Sequence, residues 1–265
     1  MIQSLSTSLL YAFISFGIYF ATMLPLEKAF KNHDQSIFRE QWLTDCAFFF
    51  GQYFIWTGMI EYGLTTFDSN TYRFLFLIQS FREYVAAQPL WLQIFEVIFL
   101  CDISIYWGHR LSHRIPWLWR FHRVHHTSKK LDWVAAFREH PVDGFYTRLI
   151  ENLPGILMGF PLEVLVGFMV LRGMFGLLIH SNAKISIGPL KYILGSPMLH
   201  HWHHDIHRNG SCNFANLMPL MDIIFGTYYH PKEFPDDYGI QEKIPHGYWQ
   251  QILMPFYSRF KEPSD

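Results

Sequence analysis

The chain has 265 residues, of which 50% are hydrophobic and 18% aromatic, and its formal net charge is −1 at pH 7. This near-neutral charge excludes the strongly basic surface that nucleic-acid binding requires, so no nucleic-acid partner is expected. The mean hydropathy of +0.08 is typical of a chain that is part membrane-embedded and part polar. None of the three cysteines forms a CxxC pair, which excludes a zinc finger.

Four apolar segments are predicted to be transmembrane helices or helical hairpins. They lie at about 9–26, 46–61, 88–107 and 153–180. The first has no charged side chain and is long enough to cross the hydrocarbon core of a bilayer. The fourth contains Pro154, Gly155, Gly159 and Pro161, which favour a hairpin or a kinked helix over one straight span.

Lysine and arginine are distributed unevenly along the chain. None precedes Lys28, whereas eight lie between residues 109 and 150. The positive-inside rule therefore places the amino terminus away from the cytosol and the region after the third segment inside it. We expect an all-α polytopic membrane protein, a single domain over 1–265, with a cytosolic helical cap at about 108–150 and 181–230.

Nine histidines form four short clusters in or next to this cap. They are His109 and His113 in HRLSH, His122, His125 and His126 in HRVHH, His180 in IHSN, and His200, His203 and His204 in HHWHH. Spacings of three and four residues put imidazoles on one face of a helix. Nine ligands exceed the four to six of one ion, so the count predicts a dinuclear site. Imidazole suits iron, copper, nickel and zinc alike, and the spacing does not choose among them.

Three other residues are candidates for roles at this site. Asp102 and Tyr106 share a helical face with His109 and His113 and are predicted catalytic candidates. Asp102 is expected to accept the second ring N–H of a ligand histidine. His140, in FREHPVDGF, is predicted to be a tenth metal ligand, with a role in fixing another ligand's ring as the alternative.

These motifs resemble the fatty acid hydroxylase/sterol desaturase superfamily of integral-membrane di-iron enzymes. The resemblance covers about residues 100–230 and is carried by DISIYWGHRLSH, WRFHRVHHTS, FREHPVDGF, IHSN, and SPMLHHWHHD followed by NFANLMPLMDIIFGTYY. Three boxes of the form HX3H, HX2HH and HX2HH make a specific signal, and the family's ligand positions fall on the nine clustered histidines. EHPVDGF is similar to sterol C-5 desaturases, whereas LLIHSN and FGTYY equally resemble alkylglycerol monooxygenases. Ala215 stands where the family often has glycine.

The resemblance implies O2-dependent oxidation of an unactivated C–H bond in a sterol, fatty acyl or alkyl lipid. Two iron ions would serve as cofactor, with O2 as co-substrate, and zinc can replace iron in purified protein. Electrons would come from an external cytochrome b5-like protein, ferredoxin or reductase. The resemblance is compatible with either hydroxylation or desaturation. It is also compatible with a location in either the bacterial inner membrane or the endoplasmic reticulum.

Two other classes of protein also use clustered metal ligands. A membrane metal transporter would carry its ligands along the spans near the bilayer midplane, whereas these clusters follow the spans. A dinuclear zinc hydrolase would normally include bridging carboxylates, and none lies inside the boxes. Metal analysis combined with an oxygen-consumption assay distinguishes the three classes.

Overall fold

The structure, a computed structural model, describes residues 5–66, 78–208 and 210–257. The α-helices in these ranges are α1 (Leu5–Ala29), α2 (Trp42–Thr66), α3 (Gln79–Ala86), α4 (Leu90–Arg114), α5 (Pro116–His122), α6 (Pro141–Met158), α7 (Leu162–His180), α8 (Pro197–His203), α9 (Leu220–Ile224) and α10 (Tyr248–Tyr257). Short 3-10 helices lie at His125–Thr127, Trp133–Phe137 and Gly188–Tyr192. The described residues contain two isolated β-bridges and no strand, which confirms the predicted all-α class.

Three of the described helices are long and apolar enough to cross a membrane: α1 over Ser6–Ala29, α4 and α7. Large apolar side chains point outward from each of them, including Phe13, Trp91 and Val170, which are 61%, 69% and 62% exposed. Such surfaces suit lipid rather than water. The segment predicted at 46–61 lies within α2, whose side chains after Ile55 lie outside the described residues.

The apolar segment predicted at 153–180 is two helices rather than one. Pro154 lies inside α6, which continues to Met158 and ends at Gly159 with a φ of 84°. Glycine adopts this left-handed conformation without the steric penalty of a side chain. Pro161 then caps the start of α7. The helical break predicted for this segment is present, but the apolar helix begins at Leu162 and the residues before Gly159 belong to α6.

The core beneath the histidine clusters forms where α4 packs on α6 and α7. Its buried side chains include Val97, Cys101, Ile105, Val164 and Phe168. Gly108 allows a close approach between α4 and α6, because a Cβ atom there would lie 2.8 Å from Ile150 Cγ2. This contact fixes the end of α4 that carries His109.

A buried cluster of charges joins the connection after α1 to the segment before α6. Arg39 Nη2 lies 2.7 Å from Asp45 Oδ2 and 2.6 Å from Asp132 Oδ1, and Arg138 Nε donates to the other oxygen of Asp45. Each of the four side chains is at most 6% exposed. Paired, hydrogen-bonded charges are tolerated in such a place, and removing one partner would leave the other uncompensated. The cluster thereby fixes the backbone around Arg138.

Candidate metal centre

The clustered histidines come from the ends of several helices. His109 and His113 lie on the last turns of α4, His122 ends α5, and His180 ends α7. His125 and His126 are on the 3-10 helix that follows α5. His200 and His203 are on α8, and His204 is its C-cap residue. Pro197 and the Ser196 side chain, which accepts from Leu199 N–H, start α8.

The structure brings all nine histidines together in two groups. Group 1 contains His109, His113, His122, His126 and His203, and group 2 contains His125, His180, His200 and His204. Within each group one nitrogen from every ring lies within 4.8 Å of the others. The groups touch where the rings of His126 and His204 stack, with centroids 4.3 Å apart. Five and four imidazoles match the number of nitrogens expected for each ion of a dinuclear site.

Five of the nine rings are anchored through Nδ1 to an oxygen outside the groups. The pairs are His109 with Phe214 O at 2.8 Å, His122 with Asp143 Oδ2 at 3.0 Å, His125 with Arg138 O at 3.0 Å, His180 with Gly176 O at 2.7 Å and His203 with Cys212 O at 2.8 Å. A carbonyl oxygen only accepts, so an Nδ1 that bonds one carries the hydrogen and the neutral ring leaves Nε2 as a bare lone pair. Anchors of this kind fix tautomer and ring orientation in metal sites.

Group 2 contains two such lone pairs that face each other. His125 Nε2 lies 3.1 Å from His180 Nε2, while the Nδ1 atoms of both rings donate to the carbonyls of Arg138 and Gly176. With both rings neutral, no hydrogen lies between the two Nε2 atoms, and their lone pairs repel. A cation between them removes the repulsion and receives a donor from each side. The donor set of group 2 therefore fits a metal ion.

Group 1 contains buried ring nitrogens that have no hydrogen-bond partner. The Nε2 atoms of His109, His113 and His122 are buried and make no hydrogen bond. Buried polar atoms without a partner are destabilising and are rare in folded proteins. Three convergent Nε2 atoms among five imidazoles are the arrangement that a transition-metal ion requires.

Burial keeps these rings neutral. Removal from water, together with the neighbouring imidazoles, lowers the pKa of His125 to about 4, while burial lowers the pKa of His203 to about 3 against the partial compensation of its bond to Cys212 O. The pKa values of His126, His200 and His204 are also lowered, first by burial and then by nearby histidines. Only a neutral imidazole offers a lone pair, so these five rings are in the ligating form at neutral pH.

A cavity of about 160 Å³ lies against both groups. His109 and His122 of group 1 and His125, His180 and His200 of group 2 contribute to its lining. Apolar side chains on its other sides include Ile105, Phe137, Ile150 and Leu177. The cavity is smaller than the roughly 300–1,000 Å³ typical of a pocket that encloses a whole drug-sized ligand, so it suits part of a larger molecule.

Asp102 and Tyr106 are buried but lie outside both groups. The two oxygens of Asp102 accept the backbone N–H groups of Leu217 and Met218, at 3.0 and 2.9 Å, and not a histidine N–H. The prediction that Asp102 orients a ligand ring is therefore wrong. The Tyr106 hydroxyl accepts from Arg110 Nη1 and lies 3.1 Å from Thr227 Oγ1. Both residues hold the segment after α8 against α4.

His140 also lies outside the groups, and the structure contradicts its prediction as a tenth ligand. Its Nδ1 accepts the N–H of Val142 at 3.1 Å as the N-cap of α6, and its Nε2 donates to Ile252 O at 3.1 Å. Both ring nitrogens are thus occupied, and neither is available to a metal. The residue caps a helix and joins it to α10.

The carboxylate that does orient a clustered histidine is Asp143, which sequence reasoning missed. It lies in the first turn of α6, is 4% exposed and accepts from His122 Nδ1. The signal was present in the HPVD motif, where the aspartate follows His140 by three residues. Without the position of α6, nothing in the sequence joins that motif to His122.

Comparison with known proteins agrees with this arrangement. A family model described as fatty acid hydroxylase matches residues 94–227, just over half of the chain. An ornithine lipid hydroxylase of Rhizobium tropici is 32% identical over 170 residues, which are 63% of this chain and 51% of that protein. Mouse lathosterol oxidase is 30% identical over 65% of this chain and 55% of its own length. Human alkylglycerol monooxygenase is 31% identical over 48% of this chain and 28% of its own length.

The chain thus spans between 28% and 55% of the length of these three relatives. No solved structure gives a significant match. The matched region contains all nine clustered histidines, from His109 to His204, so it covers both groups entirely. The family match and the three apolar helices agree in indicating an integral membrane protein.

Proposed function

The chain belongs to the fatty acid hydroxylase family, and we propose that it is an O2-dependent oxidoreductase that hydroxylates or desaturates a membrane lipid with two iron ions. The observation that carries this proposal is the pair of convergent imidazole groups, with facing or unpartnered Nε2 atoms, beside one cavity. When bound, the iron pair would supply the activation of O2 and the removal of hydrogen from a C–H bond.

The residues of the chain hold and orient this centre. The carbonyls of Phe214, Arg138 and Cys212 fix the rings of His109, His125 and His203 before any ligand binds, so little reorganisation is needed. Because the imidazoles are neutral donors, they would hold the ions without compensating their positive charge.

The apolar side of the cavity excludes water from the reacting C–H bond. Phe137, Ile150 and Leu177 provide this surface, and Leu177 lies on α7, one of the helices able to cross a membrane. A lipid could therefore reach the centre laterally without leaving the bilayer.

The reaction needs two electrons from outside the chain. Hydroxylation combines one C–H bond with O2, two electrons and two protons to give an alcohol and water. Desaturation breaks two C–H bonds on adjacent carbons and combines with O2, two electrons and two protons to give an alkene and two waters. We propose an external donor, either a cytochrome b5-like protein, a ferredoxin or a reductase. The basic residues between 109 and 150 favour a cytosolic position for the histidine groups and hence a cytosolic donor.

Lipid oxidation is favoured over the other two classes by the composition of the groups. Neither group contains a carboxylate among the described residues, whereas dinuclear hydrolases use bridging carboxylates. The histidines of α4 and α7 lie on the last turns of these helices, not along the middle where a transporter binds its ion. The relatives are named for three kinds of lipid, namely ornithine lipid, alkylglycerol and sterol, and a lipid is the substrate class they share.

The test is metal- and O2-dependent turnover by the full chain in lipid vesicles. We expect iron-loaded protein with a chemical reductant to consume O2 only when a lipid substrate is present, and one lipid class to gain one oxygen or lose two hydrogens. His204→Ala should abolish turnover, whereas His246→Ala, at an exposed position, should not. Lipid cleavage without O2, or metal uptake into vesicles, would overturn the proposal.

A further inference from the structure

Three charged side chains that the proposed reaction does not use help to line the cavity beside the histidine groups. Glu139, Arg148 and Arg172 line it, and we call these three residues the ionic wall. Arg148 Nη1 lies 3.2 Å from Glu139, and Arg172 Nη1 lies 3.0 Å from Glu151 Oε2. Asp143, which bonds His122, also lines the cavity. The proposed reaction at a C–H bond uses none of the charges on the ionic wall.

Arg172 is in an unusual place for a cation. It is the single lysine or arginine in α7, which is otherwise apolar enough to cross a membrane. Its side chain is only 17% exposed, and its buried Nε has no hydrogen-bond partner. Ionised residues in membrane helices are rare and are found where they face a cavity or a binding site.

The ionic wall lies close to the metal-binding groups. Along α6, Arg148 is five residues from Asp143, which corresponds to about 7.5 Å at the helical rise. Along α7, Arg172 is eight residues from His180, or about 12 Å. A molecule that contacts both the ionic wall and the histidines therefore presents to the metals a carbon near its own charged groups.

A purely structural role does not account for this wall. Ion pairs contribute little to stability compared with well-packed apolar side chains, and three of the four side chains in these pairs line a cavity instead of a closed core. An alkyl chain placed against them would remove water from the charges and offer no hydrogen bond in return.

We infer that the ionic wall binds a zwitterionic lipid headgroup, with Arg172 and Arg148 facing its acid group and Glu139 its ammonium group. This inference rests on the proposed function, since it assigns the headgroup of the lipid to be oxidised. A zwitterion brings one charge of each sign, so the two ion pairs exchange partners without burying a net charge. A lipid with an anionic headgroup leaves one charge uncompensated, and a neutral lipid satisfies neither pair. The oxidised carbon then lies in the headgroup or within about 12 Å of it.

The test uses three lipids with the same palmitoyl chain and different headgroups. N-palmitoylornithine carries a carboxylate and an ammonium, N-palmitoylglycine carries a carboxylate only, and palmitoylglycerol is neutral. Binding to the full chain in nanodiscs and turnover by the iron-loaded protein are measured for each. We expect kcat/KM for N-palmitoylornithine to exceed the others by about tenfold or more, with the new oxygen or double bond found on the headgroup side by fragmentation mass spectrometry.

The variants separate the ionic wall from general effects of charge. Arg172→Gln alone would leave Glu151 unpaired, so the double variant Arg172→Gln/Glu151→Gln removes the pair together. It should raise KM for N-palmitoylornithine by roughly 10–100-fold and so remove the preference for this lipid over palmitoylglycerol. Lys184→Gln, which removes a positive charge at an exposed position, is the matched control and should change neither.

The outcomes distinguish this inference from the proposed function. Equal turnover of palmitoylglycerol and N-palmitoylornithine would overturn the inference and leave lipid oxidation supported. Selective binding of N-palmitoylornithine that the double variant loses, without any O2-dependent product, would support the headgroup site and overturn the oxidation. A correctly folded double variant with unchanged KM would overturn the role of Arg172.

Discussion

His125 Nε2 and His180 Nε2 face each other at 3.1 Å, although each ring has its hydrogen on the opposite nitrogen. Two lone pairs at this distance repel unless a cation lies between them. The contact joins the 3-10 helix after α5 to the end of α7, which are 55 residues apart in the chain. Metal binding should therefore stabilise the packing of these two elements.

Metal content is the direct check on the two groups. Protein purified gently should contain about two metal ions per chain, measured by mass spectrometry against quantified protein. His200→Ala should reduce this number to about one, because group 1 keeps all five of its imidazoles. His246→Ala should still carry two, and a wild-type protein with one ion or none would contradict the dinuclear site.

Asp143→Asn should weaken the centre without unfolding it. The neutral amide is a poorer acceptor for His122 Nδ1–H, and losing such a partner typically lowers metal affinity or activity by about 10–100-fold. Iron titration of the metal-free protein measures the affinity. Asp102→Asn is the matched control, since it affects the N–H groups of Leu217 and Met218 and should lower stability while iron affinity stays the same.

Loss of the His140 side chain should lower the free energy of unfolding but leave the metal content unchanged. His140→Ala removes the N-cap of α6, which is worth about 1 kcal/mol, and the bond to Ile252 O. His140→Asn restores the cap acceptor and should recover part of the loss in thermal unfolding experiments. Both variants should keep about two metal ions per chain; a selective loss of metal would return His140 to the set of ligands.

Acid should destabilise the metal-free protein between about pH 6.5 and 4. The pKa values of His125, His201 and His203 fall from 6.5 to about 4, 3 and 3 on folding, mainly because of burial. Below pH 6.5 the unfolded chain binds protons that the folded chain does not, so the free energy of unfolding decreases as pH falls, by about 2 kcal/mol for each fully buried histidine at pH 5. Melting temperatures at pH 7.5 and 5.0 measure this change.

His201 allows a test of acid sensitivity outside the metal groups, because it belongs to neither of them. His201 bonds Tyr238 Oη and Ser181 O and is fully buried. His201→Gln removes one titrating group and should reduce the pH dependence of stability relative to the wild type. Equal melting temperatures of the wild type at the two pH values would show that these rings are not held neutral by the fold.

Orientation in the membrane can be measured with a single cysteine. Lys129 is exposed, and the three native cysteines are buried, so Lys129→Cys gives one reactive site. A membrane-impermeant maleimide should label it from the cytosolic side only. Labelling from the opposite side would reverse the orientation and move the electron donor with it.

The spacing of the clustered histidines could be read from the sequence, because spacing within a helix is a local property. His109 and His113 need only one helical turn to converge, and α4 supplies it as expected. The hydrogen-bond partners of the rings cannot be predicted in the same way. Phe214 O and Cys212 O come from the loop after α8, 105 residues from His109 and 9 residues from His203 respectively. Any residue can offer a backbone carbonyl. No side-chain pattern reports such a partner.

The errors at Asp102 and His140 have the same physical origin. Helical register and residue type place Asp102 at the site, and residue type and motif place His140 there, but both residues bond to partners far away in the chain. Asp102 meets backbone N–H groups 115 and 116 residues away, and His140 meets Ile252 O, 112 residues away. Contacts over such separations depend on the packing of α4, α6 and α10, which one sequence does not reveal.

Histidines that are adjacent in the chain belong to different groups. His126 and His203 are in group 1, and their neighbours His125 and His204 are in group 2. Neither group can close before His203 and His204 have been synthesised, nearly a hundred residues after His109. The apolar helices α1, α4 and α7 precede these two residues in the chain, so they emerge from the ribosome first. Metal loading would thus be a late step in biogenesis, and the cell would have to deliver the metal to a chain that already lies in its membrane.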